Sequence, residues 1–214
     1  AFGNAVSVDF QQAHTTGLSA DYFDEWSGIV FRLESSFTSD EYMNNTRKAD
    51  WTDESDVVRY AIGLDRQTII PMLNATRTFF LSAQLFDTWI LDHDGNETEG
   101  MFVGEHNYLV TALANTKFFR DTFTPQAFAV WEEESNSKVF GFSLEYLLNN
   151  NMSVTGGGHV IWAGGDDNRF DVGPFTSFTL DGNFAQPTVF GFARDGVGAF
   201  SKNDELYVRV RYQF

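Results

Sequence analysis

The chain has no cysteine among its 214 residues, which removes disulfide frameworks, thiolate metal centres and cysteine nucleophiles from consideration. It has no uninterrupted apolar run of about 18 residues, the least that reads as a transmembrane helix. Basic residues are scarce. Fourteen Lys and Arg stand against 30 Asp and Glu, a formal net charge of -16, which argues against nucleic acid or an anionic phosphate surface as partner. Active-site signatures are missing too. His14, His93, His106 and His159 show no H-x-x-x-H spacing for zinc, and no G-x-S-x-G elbow places a nucleophile. Gly156-Gly157-Gly158 is followed by neither Lys-Ser nor Lys-Thr, so it reads as a strand kink rather than a phosphate loop. The expectation is a protein without enzymatic activity and without a resident cofactor.

What the chain does have is alternation. From Leu206 to Phe214, the apolar residues Leu206, Val208, Val210, Tyr212 and Phe214 alternate with Tyr207, Arg209, Arg211 and Gln213. A period of two is that of an extended strand, whose successive side chains point to opposite faces. Aromatic residues flank an aliphatic centre, the layout of a strand with one face in lipid. Val208, Val210, Tyr212 and the final Phe214 resemble the carboxy-terminal signal that the barrel-assembly machinery of Gram-negative outer membranes reads.

The same period recurs upstream. Gly28 to Thr38 sets Ile29, Phe31, Leu33 and Phe37 against Arg32, Glu34 and Ser36; Asp56 to Arg66 sets Val58, Tyr60, Ile62 and Leu64 against Arg59 and Asp65. Lys138 to Leu147 sets Phe140, Phe142, Leu144 and Tyr146 against Ser143 and Glu145. Further strands are expected over 77–91, 108–117, 123–131 and 152–163, with Ser82 and Gln84 inward. Residues 11–27 read as a polar segment without period, Ala5 to Phe10 as a short candidate strand, and 164–203 as a long connection with room for one extra hairpin. The mean hydropathy of -0.26 is compatible with membrane strands, because polar interior residues offset lipid-facing ones.

Loop lengths sort by side. The connections 39–55, 92–106, 132–137 and 164–203 fall at one end and hold most of the 30 acidic residues; 67–76, 118–122 and 148–151 fall at the other. Membrane barrels have long outer loops and short periplasmic turns. The fold class expected is therefore all-β: a transmembrane antiparallel up-and-down β-barrel. It has eight strands if it closes from Gly28, or is the carboxy-terminal part of a larger barrel if Ala5 to Phe10 adds a ninth. Residues 1–27 are then an N-terminal extension or first strand, and 28–214 the barrel. A start at Ala1, with neither Met nor a signal peptide, reads as a processed chain or part of a longer one.

Three stretches carry a family resemblance: Val57 to Phe86, Glu105 to Gln126 and the ending Asp204 to Phe214. They resemble the carboxy-terminal part of the Gram-negative outer-membrane β-barrel proteins grouped as domain of unknown function 1302. The resemblance implies an outer-membrane location and a role in moving hydrophobic compounds. It supplies no catalytic residues.

Arg32, Glu34, Arg59, Asp65, Glu145, Arg209 and Arg211 are the expected interior charges. They read either as solute-selecting groups or as salt bridges that fill a narrow interior. Asp92, Asp94 and Asn96 lie in an acidic segment that resembles a Ca2+ loop with a Gly at its turn. Its spacing departs from the helix-flanked template, which favours a solvated loop. The partners expected are membrane lipid, lipopolysaccharide and the assembly machinery, with no nucleic acid. The function expected is a channel or transport barrel, its alternative a non-conducting barrel that anchors partners through acidic outer loops. A soluble β-sandwich is the third reading.

Overall fold

A computed structural model describes residues 12–95, 99–101, 103–164, 169–175, 188–193, 200 and 202–214. Eleven strands follow in order, and no helix occurs among the described residues: β1 (His14–Asp24), β2 (Ile29–Asn44), β3 (Thr52–Ile70), β4 (Asn74–Ile90), β5 (His106–Asn115), β6 (Phe123–Glu132), β7 (Ser137–Asn149), β8 (Met152–Trp162), β9 (Arg169–Phe175), β10 (Thr188–Ala193) and β11 (Glu205–Tyr212). Nine of them form one antiparallel up-and-down sheet in the order β1-β2-β3-β4-β5-β6-β7-β8-β11, while β9 and β10 pair with each other as a separate hairpin. The extra hairpin expected inside 164–203 is therefore present. The large sheet is open, with β1 and β11 at its edges.

Two expectations need correction. Counted from Gly28 the large sheet has the eight strands expected, but a ninth, β1, precedes them inside the stretch that reads as a polar segment. β1 falls within residues 1–27 and pairs with β2 as a hairpin. The apolar row of β1 is Thr16, Leu18, Ala20 and Tyr22, too sparse to announce a strand. Its pairing is nonetheless unbroken, from His14 opposite Ser39 to Asp24 opposite Ile29. The candidate strand Ala5 to Phe10 lies outside the described residues. Nor does the glycine triplet kink its strand. Gly156, Gly157 and Gly158 pair in regular register with β11 on one side and β7 on the other.

The two longest connections, 91–105 and 163–204, join strands at the same end of the sheet; the others do not sort by length. Links 25–28, 71–73, 116–122 and 150–151 lie at one end of the sheet; links 45–51, 91–105, 133–136 and the long 163–204 lie at the other. At the long-loop end β2 and β3 extend as a ribbon through Asn44 and Thr52. Alternation fails there as a sequence signal because both faces are polar.

Register assigns every strand residue to a face, since residues directly opposite in an antiparallel pair share one. Phe31, Leu64, Ala83 and Ala112 form one row across β2 to β5, and Leu33, Ile62, Leu85 and Val110 the next. Phe142 with Gly158 and Leu206, and Leu144 with Gly156 and Val208, continue this apolar face across β7, β8 and β11. These side chains are open to the surroundings: Leu33 and Ile62 are each 40% exposed and Val208 is 77% exposed.

The buried apolar core is small and lies at the long-loop end. Val57 and Ile90 face each other in register on the polar face, Met101 covers them, and Met43 packs alongside. Residues 45–51, 94 and 100–101 are knitted together over this core. Thr46 N donates to Gly100 O at 2.8 Å, Gly100 N to Thr46 Oγ1 at 2.9 Å and Met101 N to Asp94 O at 2.9 Å.

Candidate functional site

All seven expected interior charges fall on one face, opposite the apolar one. Glu34, Ala61 and Phe86 share a row across β2, β3 and β4; Arg32, Gly63 and Gln84 share the next. Arg59 sits one row nearer the long loops and Asp65 one row further away. Ser82 and Gln84 belong to this face as well. Glu145 and Arg209 flank Thr155 in a row on the other side of the sheet, with Arg211 one row on.

The structure pairs some of these charges and not others. Arg32 Nη2 lies 2.8 Å from Asp65 Oδ2. Arg59 makes a bidentate pair with Glu41, at 2.7 and 2.6 Å, a fork geometry that adds strength and direction. A bulge makes this pair possible. The register slips between Thr38 and Glu41, and Asp40 adopts φ 54°. The extra residue turns Glu41 onto the face of Arg59. Glu34, Glu145 and Arg211 have no hydrogen-bond or ion-pair partner among the described residues, and Arg209 has only the Tyr207 ring, 5.7 Å away.

Large polar-face side chains lie flat across glycines on the neighbouring strand. A Cβ on Gly63 would stand 3.3 Å from Arg32 Nε, one on Gly157 would stand 2.6 Å from the Tyr207 hydroxyl, and one on Gly141 would collide with the Phe128 ring. These glycines admit a close approach, the use that remains for Gly157 once the kink is set aside. With Arg32 and Phe128 held down, the β1–β6 part of the polar face keeps three adjoining hollows. One of about 670 Å³ is lined by Glu34, Ser36, Arg59 and Phe86; one of about 230 Å³ by Arg32, Glu34, Gln84 and Phe86; one of about 400 Å³ by Arg32, Phe80, Gln84 and Phe128. They share Glu34 and Phe86 at one junction, Arg32 and Gln84 at the other. The three hollows together make a trough with aromatic walls, two guanidiniums paired to carboxylates and one carboxylate, Glu34, without a partner among the described residues.

Compared with protein-family models, curated proteins and solved structures, the chain matches none. The site therefore stands on its own geometry.

The acidic loop is occupied by internal contacts. Arg47 pairs with Asp94, and at 3.2 Å with Glu99, while Asn45 Nδ2 donates to Asp94 at 3.3 Å. The Arg47 guanidinium, with help from Asn45, holds the Asp94 carboxyl below the usual carboxylate range. Asp92 engages the sheet through its backbone, its N–H donating to Ser55 Oγ at 3.2 Å. Asn96 lies outside the described residues. Among the described residues no group of three His, Cys, Asp or Glu converges as metal ligands would.

Two features escaped sequence reasoning. One is Glu41, hidden in an apparent loop until the bulge turns it toward Arg59. The other is on the apolar face, where the fully buried Asp87 carboxylate meets His106 Nδ1 at 2.8 Å. The imidazole is stacked between Trp89 and Tyr108, with both centroid separations 5.3 Å. An Asp on the apolar row of β4 was the available signal. Val208, Val210 and Tyr212, expected as part of a carboxy-terminal signal, lie on the apolar row of β11, and the Tyr212 and Phe214 rings meet edge-on at 5.1 Å.

Proposed function

We propose that the chain is a transmembrane antiparallel β-barrel of a bacterial outer membrane that passes solutes along its polar face. The observation that supports this reading is the separation of two faces on β2, β3, β7 and β11, with aromatic side chains at both ends of the apolar one across the sheet; on β5 and β6 the second face also carries Leu109, Leu113, Phe128 and Val130. Trp89, Trp131 and Trp162 stand near the long-loop ends of β4, β6 and β8; Tyr22, Phe123, Tyr146 and Tyr212 stand near the short-turn ends of β1, β6, β7 and β11. An apolar belt between aromatic girdles is what a lipid-facing surface requires. In water, an apolar surface of this extent would be an aggregation liability.

Open sheet edges are not viable in lipid, so this function demands that β1 and β11 be covered. The two edge strands run in the same direction, as the ends of a nine-stranded meander must. They cannot pair antiparallel with each other, nor with a copy rotated about the barrel axis. Completion takes an odd number of further strands, the first and last running opposite to β1 and β11.

In this reading the short turns face the periplasm and the knitted loops face outward, with lipid and lipopolysaccharide around the belt. The tied acidic loop layer favours a second reading, a non-conducting barrel that anchors a partner protein at its outer surface. Reconstitution in planar bilayers separates the two. Steady solute-sized conductance, with heat-modifiable migration on denaturing gels, is the expected result. Insertion with a sealed bilayer sinks the channel in favour of the anchor. A protein that stays monodisperse without detergent sinks both.

A further inference from the structure

The geometry points to an organic-cation site in the slot between Glu34 and Phe86, a ligand class that rests on and narrows the solute-passage reading. The slot follows from register. Glu34 on β2 and Phe86 on β4 lie in one row with Ala61 of β3 between them. Strands are spaced about 4.8 Å apart, so the walls stand roughly 10 Å apart at their bases. Ala61, with only a methyl group, is the floor, and Ser19 of β1 lies opposite Glu34 on its other side. One wall is therefore a carboxylate, the other a phenyl ring. Glu34 and Phe86 also bound the two hollows that meet at this slot.

Charge decides which ligand fits. The two cations nearest Glu34 on this face are Arg32 and Arg59. Each is committed elsewhere, Arg32 to Asp65 at 2.8 Å and Arg59 to both oxygens of Glu41. Glu34 is left without a partner among the described residues, and so is Asp21, which stands opposite Arg32 on β1. The sector thus presents four carboxylates and two guanidiniums, with the surplus beside the hollow. An anionic solute meets uncompensated negative charge here. A protonated amine finds a counter-ion at Glu34, hydroxyls at Ser19 and Ser36, and the face of Phe86 for its cation. Its apolar or aromatic body continues toward Phe80 and Phe128, which line the adjoining hollow.

The test uses detergent-purified protein and two probes of similar shape and opposite charge, 2-phenylethylammonium and 3-phenylpropionate, titrated calorimetrically. The ammonium probe is expected to bind at least ten-fold more tightly than the carboxylate. Glu34→Gln, which keeps the shape, is expected to weaken it about ten-fold, and Phe86→Leu several-fold. Glu145→Gln, on the far side of the sheet, leaves binding unchanged. Equal affinity for the two probes, no binding of either, or full binding by Glu34→Gln overturns the site. The titration needs no conductance, so ammonium binding by a protein that seals a bilayer would sink the channel and keep the site. Conductance without ammonium preference would do the reverse.

Discussion

The two sides of the polar face handle charge differently. On β1 to β4 both arginines are satisfied: Arg32 meets Asp65, and a bulge brings Glu41 to Arg59. On β7 to β11, Glu145 and Arg211 have no partner among the described residues, and Arg209 has only the face of Tyr207. For the arginines the contrast follows the edges. Arg59 has strands on both sides of it, whereas Arg209 and Arg211 ride on β11, which pairs with β8 alone. The arginines of the first side are paired, while its carboxylates Glu34 and Asp21 and the arginines of the second side have no ion-pair partner among the described residues. The free edges also carry opposite signs on this face, Asp21 on β1 and the arginine pair on β11.

The largest expected effect tests what the two sides share. Their apolar faces are continuous, so an inserted charge should be equally damaging on either side. Under the proposed membrane reading, Ile62→Arg and Val208→Arg should each cost about 2–4 kcal/mol of folded-state stability, the depth-dependent penalty of an arginine placed in lipid near the midplane. Ser82→Arg, on the polar face, should be tolerated. The heat-modifiable fraction after refolding into lipid vesicles reads this out. Normal folding of Val208→Arg beside failure of Ile62→Arg would mean that β11 lies outside the lipid belt.

A smaller effect separates the sides. Arg59→Ala strands the Glu41 carboxylate, but the Arg59 and Glu41 side chains are 39% and 27% exposed, so screening limits the loss to about 1 kcal/mol. Arg211→Ala removes no observed contact and should stay within about 0.5 kcal/mol. Urea midpoints in detergent micelles compare them. A loss at Arg211 equal to that at Arg59 would reveal a carboxylate facing Arg211 across the free edge.

The strand centres were legible from sequence, and the long-range contacts were not. β3, β7 and β11 alternate cleanly because one face is apolar and the other is not, and register put every predicted interior charge on one face. β1 escaped because Thr16 and Ala20 dilute its apolar row. The ribbon beyond Thr38 escaped because both its faces are polar. The parity of Glu41 hangs on a bulge at Asp40, and one inserted residue reverses every face assignment that follows it. Nothing local joins Val57, Ile90 and Met101: the β3–β4 register pairs the first two, and only the folded loop brings Met101 to them. Nor does any motif name Glu34 as the spare carboxylate, since that follows from what its neighbours are bonded to.

The smallest effect is confined to the loops and sets the tied end of the sheet against β11 once more. Asp94 is held below the ordinary carboxylate range by Arg47, and Asp121, in the turn beside β4, by Arg77 at 2.6 Å. A depressed folded-state pKa contributes stability that is present above the unfolded value, near 3.8. That contribution is lost as pH falls through the lower folded value. Loops 45–51 and 91–101 should therefore stay tied at pH 7 and loosen below about pH 4, where the carboxylates take up protons. Both carboxyls are solvent-accessible, so the change is local rather than global. Amide exchange at Gly100 and Met101, corrected for the intrinsic pH dependence of exchange, should lose protection progressively as pH falls below about 4. In Asp94→Asn that protection should already be low at pH 7 and no longer vary with pH. The β11 amides, which no depressed carboxylate serves, should keep one level of protection throughout. A matching acid loss along β11 would mean that its free edge is held by an ion pair after all, and the contrast between the two sides would collapse.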